Sequence, residues 1–216
     1  MYKAIIFDLD GTIADTLPAI CEAVNLTLSK HGYPMQDISA VRTFIGNGAR
    51  KLITRALPEQ ARSEEIIDRV LADYDAAYTE TFLHTDETYP GMREAIAELR
   101  QKGCRIGVLS NKQDHLTRPL THQLLPGLVD VVFGQRSGFP IKPDPTIPLQ
   151  VAAELGASPA ETAFVGDSDV DILTGIAAGF TPIGVSWGYR SADLLRQTGA
   201  KAVADHPSDL PHLLLS

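Results

Sequence analysis

Cysteine is nearly absent from this chain. Cys21 and Cys104 are the only two in 216 residues, each in an apolar helical or strand context with no CxxC spacing and no nearby histidine. That pattern predicts packed thiols and excludes a disulfide framework or a thiolate metal site. Runs of lysine or arginine are missing too, and the formal net charge is −8 with a pI near 5.2. Such a surface repels nucleic acid and anionic membrane, so neither is expected as a partner, and an anionic substrate must meet a local positive site. No apolar stretch is long enough to cross a bilayer, and the chain opens on the apolar run Ala4-Ile5-Ile6-Phe7 without the pattern of a signal peptide. The expectation is a cytoplasmic protein, monomeric or homodimeric. Internal repeats, low-complexity tracts and long heptad runs are also lacking. What remains is 44% hydrophobic content, enough to bury a core in one large domain or two unequal ones.

After residue 84 short β-branched runs alternate with amphipathic helical runs, the pattern of βαβ units and a parallel sheet. Strands are predicted at residues 4–9, 105–110, 129–133, 162–165, 181–185 and 201–204. Helices are predicted at 92–102, 114–124, 146–155, 169–178 and 192–197, with a short one near Leu210. Gly156, Gly179 and Gly199 follow three of these helices, where a left-handed C-cap is wanted. Residues 17–83 break the rhythm: Ile20, Ala23, Val24 and Leu28, then Ile66, Ile67, Val70 and Leu71, show helical spacing only. They predict a separate helical domain at 17–83 inserted between 1–16 and 84–216, joined by two linkers that form a hinge.

In an open parallel sheet ligands bind at the carboxyl ends of the strands, and here those ends are polar. They carry Asp8-Leu9-Asp10-Gly11-Thr12, Ser110-Asn111-Lys112, Lys142-Pro143-Asp144 and Gly166-Asp167-Ser168-Asp169-Val170-Asp171. One aspartate after a strand is ordinarily a helix cap. Three converging carboxylates are different, because two like charges about 4 Å apart cost on the order of 4 kcal/mol at an effective dielectric of about 20. The cluster of Asp8, Asp10 and Asp167 therefore demands a cation or a shared proton, and hard oxygen ligands without Cys or His point to Mg²⁺. In that setting Asp8 can attack phosphorus, while Asp10, its pKa raised by its neighbours, holds a proton for the leaving oxygen. Lys142 supplies positive charge. Ser110, with Asn111 beside it, offers a hydroxyl and backbone N–H groups near a helix start as an anion cradle.

These four segments, in this order and spacing, resemble the haloacid dehalogenase superfamily over essentially the whole chain. The resemblance implies a Rossmann-like, doubly wound α/β core with a helical C1-type cap inserted after the first strand. It implies a Mg²⁺-dependent phosphatase in which Asp8 is the nucleophile and Asp10 the general acid and base, its backbone carbonyl also binding metal. By the same resemblance Ser110 binds phosphate, Lys142 is the stabilising cation, and Asp167 is a metal ligand supported by Asp171. Within the superfamily Gly46-Asn47-Gly48, Ser110-Asn111-Lys112 and Val185-Ser186-Trp187-Gly188-Tyr189-Arg190 are similar to phosphoglycolate phosphatases. That implies hydrolysis of a small phosphorylated metabolite, 2-phosphoglycolate first, through an aspartyl-phosphate. The substrate's carboxylate would then need a donor, for which Asn47 and Arg50 of the insert, and Asn111, are the candidates. A phosphosugar mutase shares fold and nucleophile, so that alternative stays open, as does a phosphatase for another small phosphometabolite. A receiver-type signalling module would not need the insert, and an inactive scaffold would not fill every catalytic position.

Overall fold

A computed structural model describes residues 2–215 of the chain. Two compact units divide it, Met1–Asp15 with Glu87–Ser216, and Thr16–Asp86.

The larger unit is built on six strands: β1 (Ala4–Phe7), β2 (Arg105–Gln113), β3 (Val131–Gln135), β4 (Thr162–Gly166), β5 (Thr181–Val185) and β6 (Ala202–Ala204). All pair in parallel in the order β3-β2-β1-β4-β5-β6. β1 lies at the centre and is buried along its whole length. Its unbroken apolar text follows from that position, since a strand covered on both faces has no polar side to show. On one face Ile6, Leu109, Phe133 and Phe164 pack with Ile147 and Val151. Chain order reverses between β1 and β4, which makes the carboxyl end of that pair the topological switch point of a doubly wound sheet.

Several strand ends differ from the sequence reading. β1 stops at Phe7 rather than Leu9, because the Leu9 carbonyl accepts the N–H groups of Thr12, Ile13 and Ala14 at 3.3, 3.0 and 3.3 Å and so closes a tight turn. β2 continues three residues past Ser110 to Gln113, with a register shift between Leu109 and Gln113. Ser110 thus sits on an irregular strand extension rather than at a helix start. β3 runs two residues later than read.

The helices of this unit are α5 (Met92–Gln101), α6 (Asp114–Leu124), α7 (Thr146–Glu154), α8 (Asp169–Ala178), α9 (Ala192–Thr198) and α10 (Asp209–Leu215). α8 starts with a reciprocal capping box between Ser168 and Asp171, which satisfies orphan N–H groups on both residues.

The smaller unit holds α1 (Leu17–Lys30), α2 (Ile38–Phe44), α3 (Gly48–Ala56) and α4 (Glu64–Thr81), with no strand. α1 packs on α4, and the buried residues of both recur at three- and four-residue spacing. Ser63 caps α4 by accepting from the Ile66 N–H at 3.4 Å. No helix among the described residues is long and apolar enough to cross a membrane.

Gly166 ends β4 against Asp171, where an added Cβ would lie 2.3 Å from the Asp171 Cβ. Gly166→Ala must push α8 away from the sheet. It is expected to destabilise the protein by about 2 kcal/mol or more, lowering the melting temperature by roughly 5 °C. A calorimetric scan of the variant against the parent tests this; an unchanged melting temperature contradicts the packing described.

Candidate active site

The switch point gathers the acids. Asp8 is the first residue beyond β1, and its N–H still donates to the Val165 carbonyl at 2.9 Å, so the turn that follows is anchored to β4. Asp167 is the first residue beyond β4. Asp171 reaches the same place from the first turn of α8. One carboxylate oxygen from each of Asp8, Asp167 and Asp171 lies within 4.8 Å of the other two, and all three residues are buried.

Lys142 lies among them. Its Nζ is 2.7 Å from Asp171 Oδ1 and 2.8 Å from Asp8 Oδ1. Asp171 is hydrogen-bonded to this ammonium, whereas Asp8 Oδ1 lies within ion-pair distance but outside hydrogen-bond alignment and is left without a hydrogen-bond partner. The backbone behind Lys142 is fixed by Asn111, whose amide donates to the Lys142 carbonyl at 3.1 Å and accepts from the Lys142 N–H at 2.8 Å. Asn111 therefore holds the loop that carries the lysine.

Asp171 Oδ2 accepts from the Ser168 N–H at 3.0 Å and the Ser168 hydroxyl at 2.6 Å. Asp167 is held as closely: Thr12 Oγ1 donates to its Oδ1 at 3.2 Å and the Tyr189 N–H to its Oδ2 at 2.6 Å. That approach requires a glycine at 188, where a Cβ would fall 2.2 Å from the Asp167 Cβ and 2.4 Å from the Gly11 carbonyl oxygen. The indole of Trp187 donates to the Thr12 carbonyl at 3.1 Å and ties the same loop to the turn after β1.

The Asp8 carboxyl is raised to about 7: burial pushes it up most, Lys142 pulls it down, and the charges of Asp171 and Asp10 push it up again. Burial, then Asp171 and Asp8, hold Asp167 well above the carboxylate range despite its two donors. For Lys142 burial favours the neutral amine, but the carboxylates of Asp171 and Asp8 override it and keep the ammonium.

A buried carboxylate oxygen lacking a hydrogen-bond partner, beside two more carboxylates and only oxygen donors, fits a hard divalent cation. The cluster comprises Asp8, Asp167 and Asp171. The Asp10 side chain lies apart from it, with Oδ1 3.1 Å from Lys112 Nζ. Ser110 is buried nearby, its Oγ accepting from the Lys112 N–H at 3.3 Å.

The residues named for the helical unit lie at α3. Asn47 precedes α3 without making a side-chain cap. Arg50 lies on α3 in ion pairs with Asp68, at 2.5 Å, and with Glu64, both of α4. Lys112, Thr12 and Tyr189 stand in the motifs quoted from sequence but have no role assigned there. For Lys112 a signal existed, a lysine at the polar end of a strand in an acidic chain; for the Tyr189 backbone N–H there is none.

Residues 5–185 match the family described as haloacid dehalogenase-like hydrolase. A phosphoglycolate phosphatase of Yersinia pseudotuberculosis serotype I is 31% identical over 213 residues, 96% of this chain and 91% of its own. Phosphoglycolate phosphatase 1 of Pseudomonas aeruginosa is 32% identical over 96% of this chain and 78% of its own. Among solved structures, a protein of Lactobacillus delbrueckii subsp. bulgaricus with a provisional phosphoglycolate phosphatase assignment superposes with a TM-score of 0.92 at 29% identity, covering 99% of this chain and 98% of that one.

The raised Asp8 carboxyl fixes the sign of a pH effect. Unfolded, Asp8 ionises near its ordinary value of 3.8, but in the fold it keeps its proton to about 7. In metal-free protein its contribution is thus most favourable below 3.8 and is lost as pH rises through 7. Asn cannot ionise, so the melting temperature of Asp8→Asn relative to the parent is expected to rise from pH 4 to pH 8. A flat difference across that range contradicts the burial of an ionising Asp8.

Proposed function

Because the chain belongs to the haloacid dehalogenase-like hydrolase family and is a phosphoric monoester hydrolase, we propose that it is a Mg²⁺-dependent phosphatase acting on a small phosphorylated metabolite, 2-phosphoglycolate first, in the cytoplasm. The observation that carries the reading is the buried trio of Asp8, Asp167 and Asp171 with Lys142 among them.

In this reading Asp8 attacks phosphorus through a carboxylate oxygen, the bond from phosphorus to the ester oxygen breaks, and an aspartyl-phosphate forms on Asp8. Asp10 gives a proton to the departing alkoxide, then takes one from the water that attacks the aspartyl-phosphate and releases inorganic phosphate. Lys142 offsets the negative charge that accumulates at the attacking carboxylate and the phosphoryl oxygens. Ser110 donates its hydroxyl to a phosphoryl oxygen. Asp171 keeps Lys142 in place, and Thr12 with the Tyr189 N–H keeps Asp167 in place. Asp8, Asp167 and the Asp10 carbonyl would hold Mg²⁺, which when bound would supply the positive charge that lets a dianionic phosphate approach these carboxylates. The helical unit at 17–83 is assigned the role of a C1-type cap, with Asn47 and Arg50 as donors for the substrate's remote group. For Arg50 that means exchanging Glu64 and Asp68 for the substrate.

A phosphate-release screen across phosphorylated metabolites, with and without Mg²⁺, tests the reading. Turnover is expected with Mg²⁺, to cease with EDTA and return on adding the metal, and to fall at least about 10³-fold in Asp8→Asn, which keeps the fold but cannot attack. Activity that survives exhaustive EDTA rejects the metal, and an active Asp8→Asn rejects the nucleophile.

Arg50→Ala is expected to lower kcat/KM for 2-phosphoglycolate by about 10-fold while sparing an aryl phosphate that has no carboxylate. A parallel fall in both would place Arg50 in the folding of the helical unit, and no fall in either would move carboxylate recognition elsewhere.

A further inference from the structure

The site holds a second buried ammonium that the reaction as described does not use. Lys112 leaves β2 beside β1, and its side chain, 3% exposed, ends 3.1 Å from Asp10 Oδ1. Its backbone is held on both sides: the N–H donates to Ser110 Oγ at 3.3 Å, and the carbonyl accepts from Thr117 Oγ1 of α6 at 3.0 Å. The ammonium therefore projects from a fixed base. Asp10 stands on the turn closed by the Leu9 carbonyl, so its carboxyl group can vary chiefly by side-chain rotation.

A buried lysine separated from its carboxylate loses the partner that compensates its desolvation. Rotation of Asp10 away from Lys112 carries that penalty, which fixes one carboxyl oxygen and with it the direction of the other. Lys142 thus pairs with Asp8 and Asp171, while Lys112 pairs with Asp10 and also feels the charge of Asp8.

We infer that Lys112 is a positioning residue for proton transfer: its ion pair with Asp10 Oδ1 aims the Asp10 carboxyl group at the ester oxygen. The inference rests on the phosphatase reading above and acts through Asp10 alone. A lysine that merely supports the fold, or that binds the phosphoryl group itself, would affect every substrate alike.

The test is a double-mutant cycle of Asp10→Asn and Lys112→Met, followed in the first, single-turnover step with 2-phosphoglycolate and with 4-nitrophenyl phosphate, whose phenolate departs without a proton. Lys112→Met is expected to slow the alkyl ester by about 10-fold or more and the aryl ester by no more than about 3-fold. In the Asp10→Asn background, Lys112→Met should add less than about 2-fold. Equal losses with both esters, or losses that multiply in the double variant, overturn the inference. If Lys112→Met does not yield folded protein, Lys112→Gln takes its place in the same cycle. A crystal structure of the variant gives a readout independent of turnover: the Asp10 carboxyl group displaced from its parent position supports the inference, and one that stays in place overturns it. A parent protein that cleaves neither ester rejects the phosphatase reading instead, and the crystal comparison then decides the Lys112–Asp10 relation alone.

Discussion

The site depends on one ammonium among buried carboxylates. Without Lys142, Asp8 and Asp171 would face each other across a space from which water is excluded, and the desolvation cost of each would stand uncompensated. Much of the surrounding chain serves to keep that lysine where it is. Asn111 locks its backbone from both sides, Ser168 engages the far oxygen of Asp171, and Gly166 gives Asp171 room to approach the sheet. The capping box that starts α8 is therefore also part of the site: one aspartate ends a run of helical N–H groups with one oxygen and holds the lysine with the other.

Charge and shape are solved together at Asp167. Its two oxygens are engaged by a hydroxyl and a backbone N–H, yet burial and the neighbouring acids still favour its proton. A divalent cation held there would shift that balance towards the ionised form, because it would carry two charges where each lysine carries one. The loop after β5 reaches Asp167 only because position 188 has no side chain, and the same loop is tied through Trp187 to the turn that bears Asp10.

Much of this was legible in the sequence. The parallel α/β sheet followed from alternating strand and helix periodicities, and the carboxyl-end rule pointed to Asp8, Asp167 and Lys142, which the fold brings together. What local pattern could not show were the places where long-range pairing overrides it. Leu9 is apolar and reads as strand, but its carbonyl is claimed by three N–H groups of the following turn. Asn111-Lys112 is polar and reads as loop, yet it extends β2, because Asn111 and Lys112 find their partners at Lys142 and Asp10 on other segments. Asn111 looked like part of an anion cradle, whereas its amide is committed to the backbone of a residue 31 positions on. Arg50 looked available at a helix start, but carboxylates one helix away hold it, and nothing within α3 announces them.

The central strand has a bearing on how the protein comes into being. β1 pairs Ala4 with Arg105 on one side and with Thr162 on the other, so the first strand to leave the ribosome waits for the last third of the chain before both its edges are filled. Until β4 emerges, Asp8 has neither the strand that anchors it nor Asp167 and Asp171 beside it. Long-range closure of this kind is slow and leaves an apolar edge exposed meanwhile. The segment translated next, 16–86, can bury its own apolar faces from contacts within itself. The carboxylate cluster is thus assembled late in synthesis, when β4 and α8 join β1.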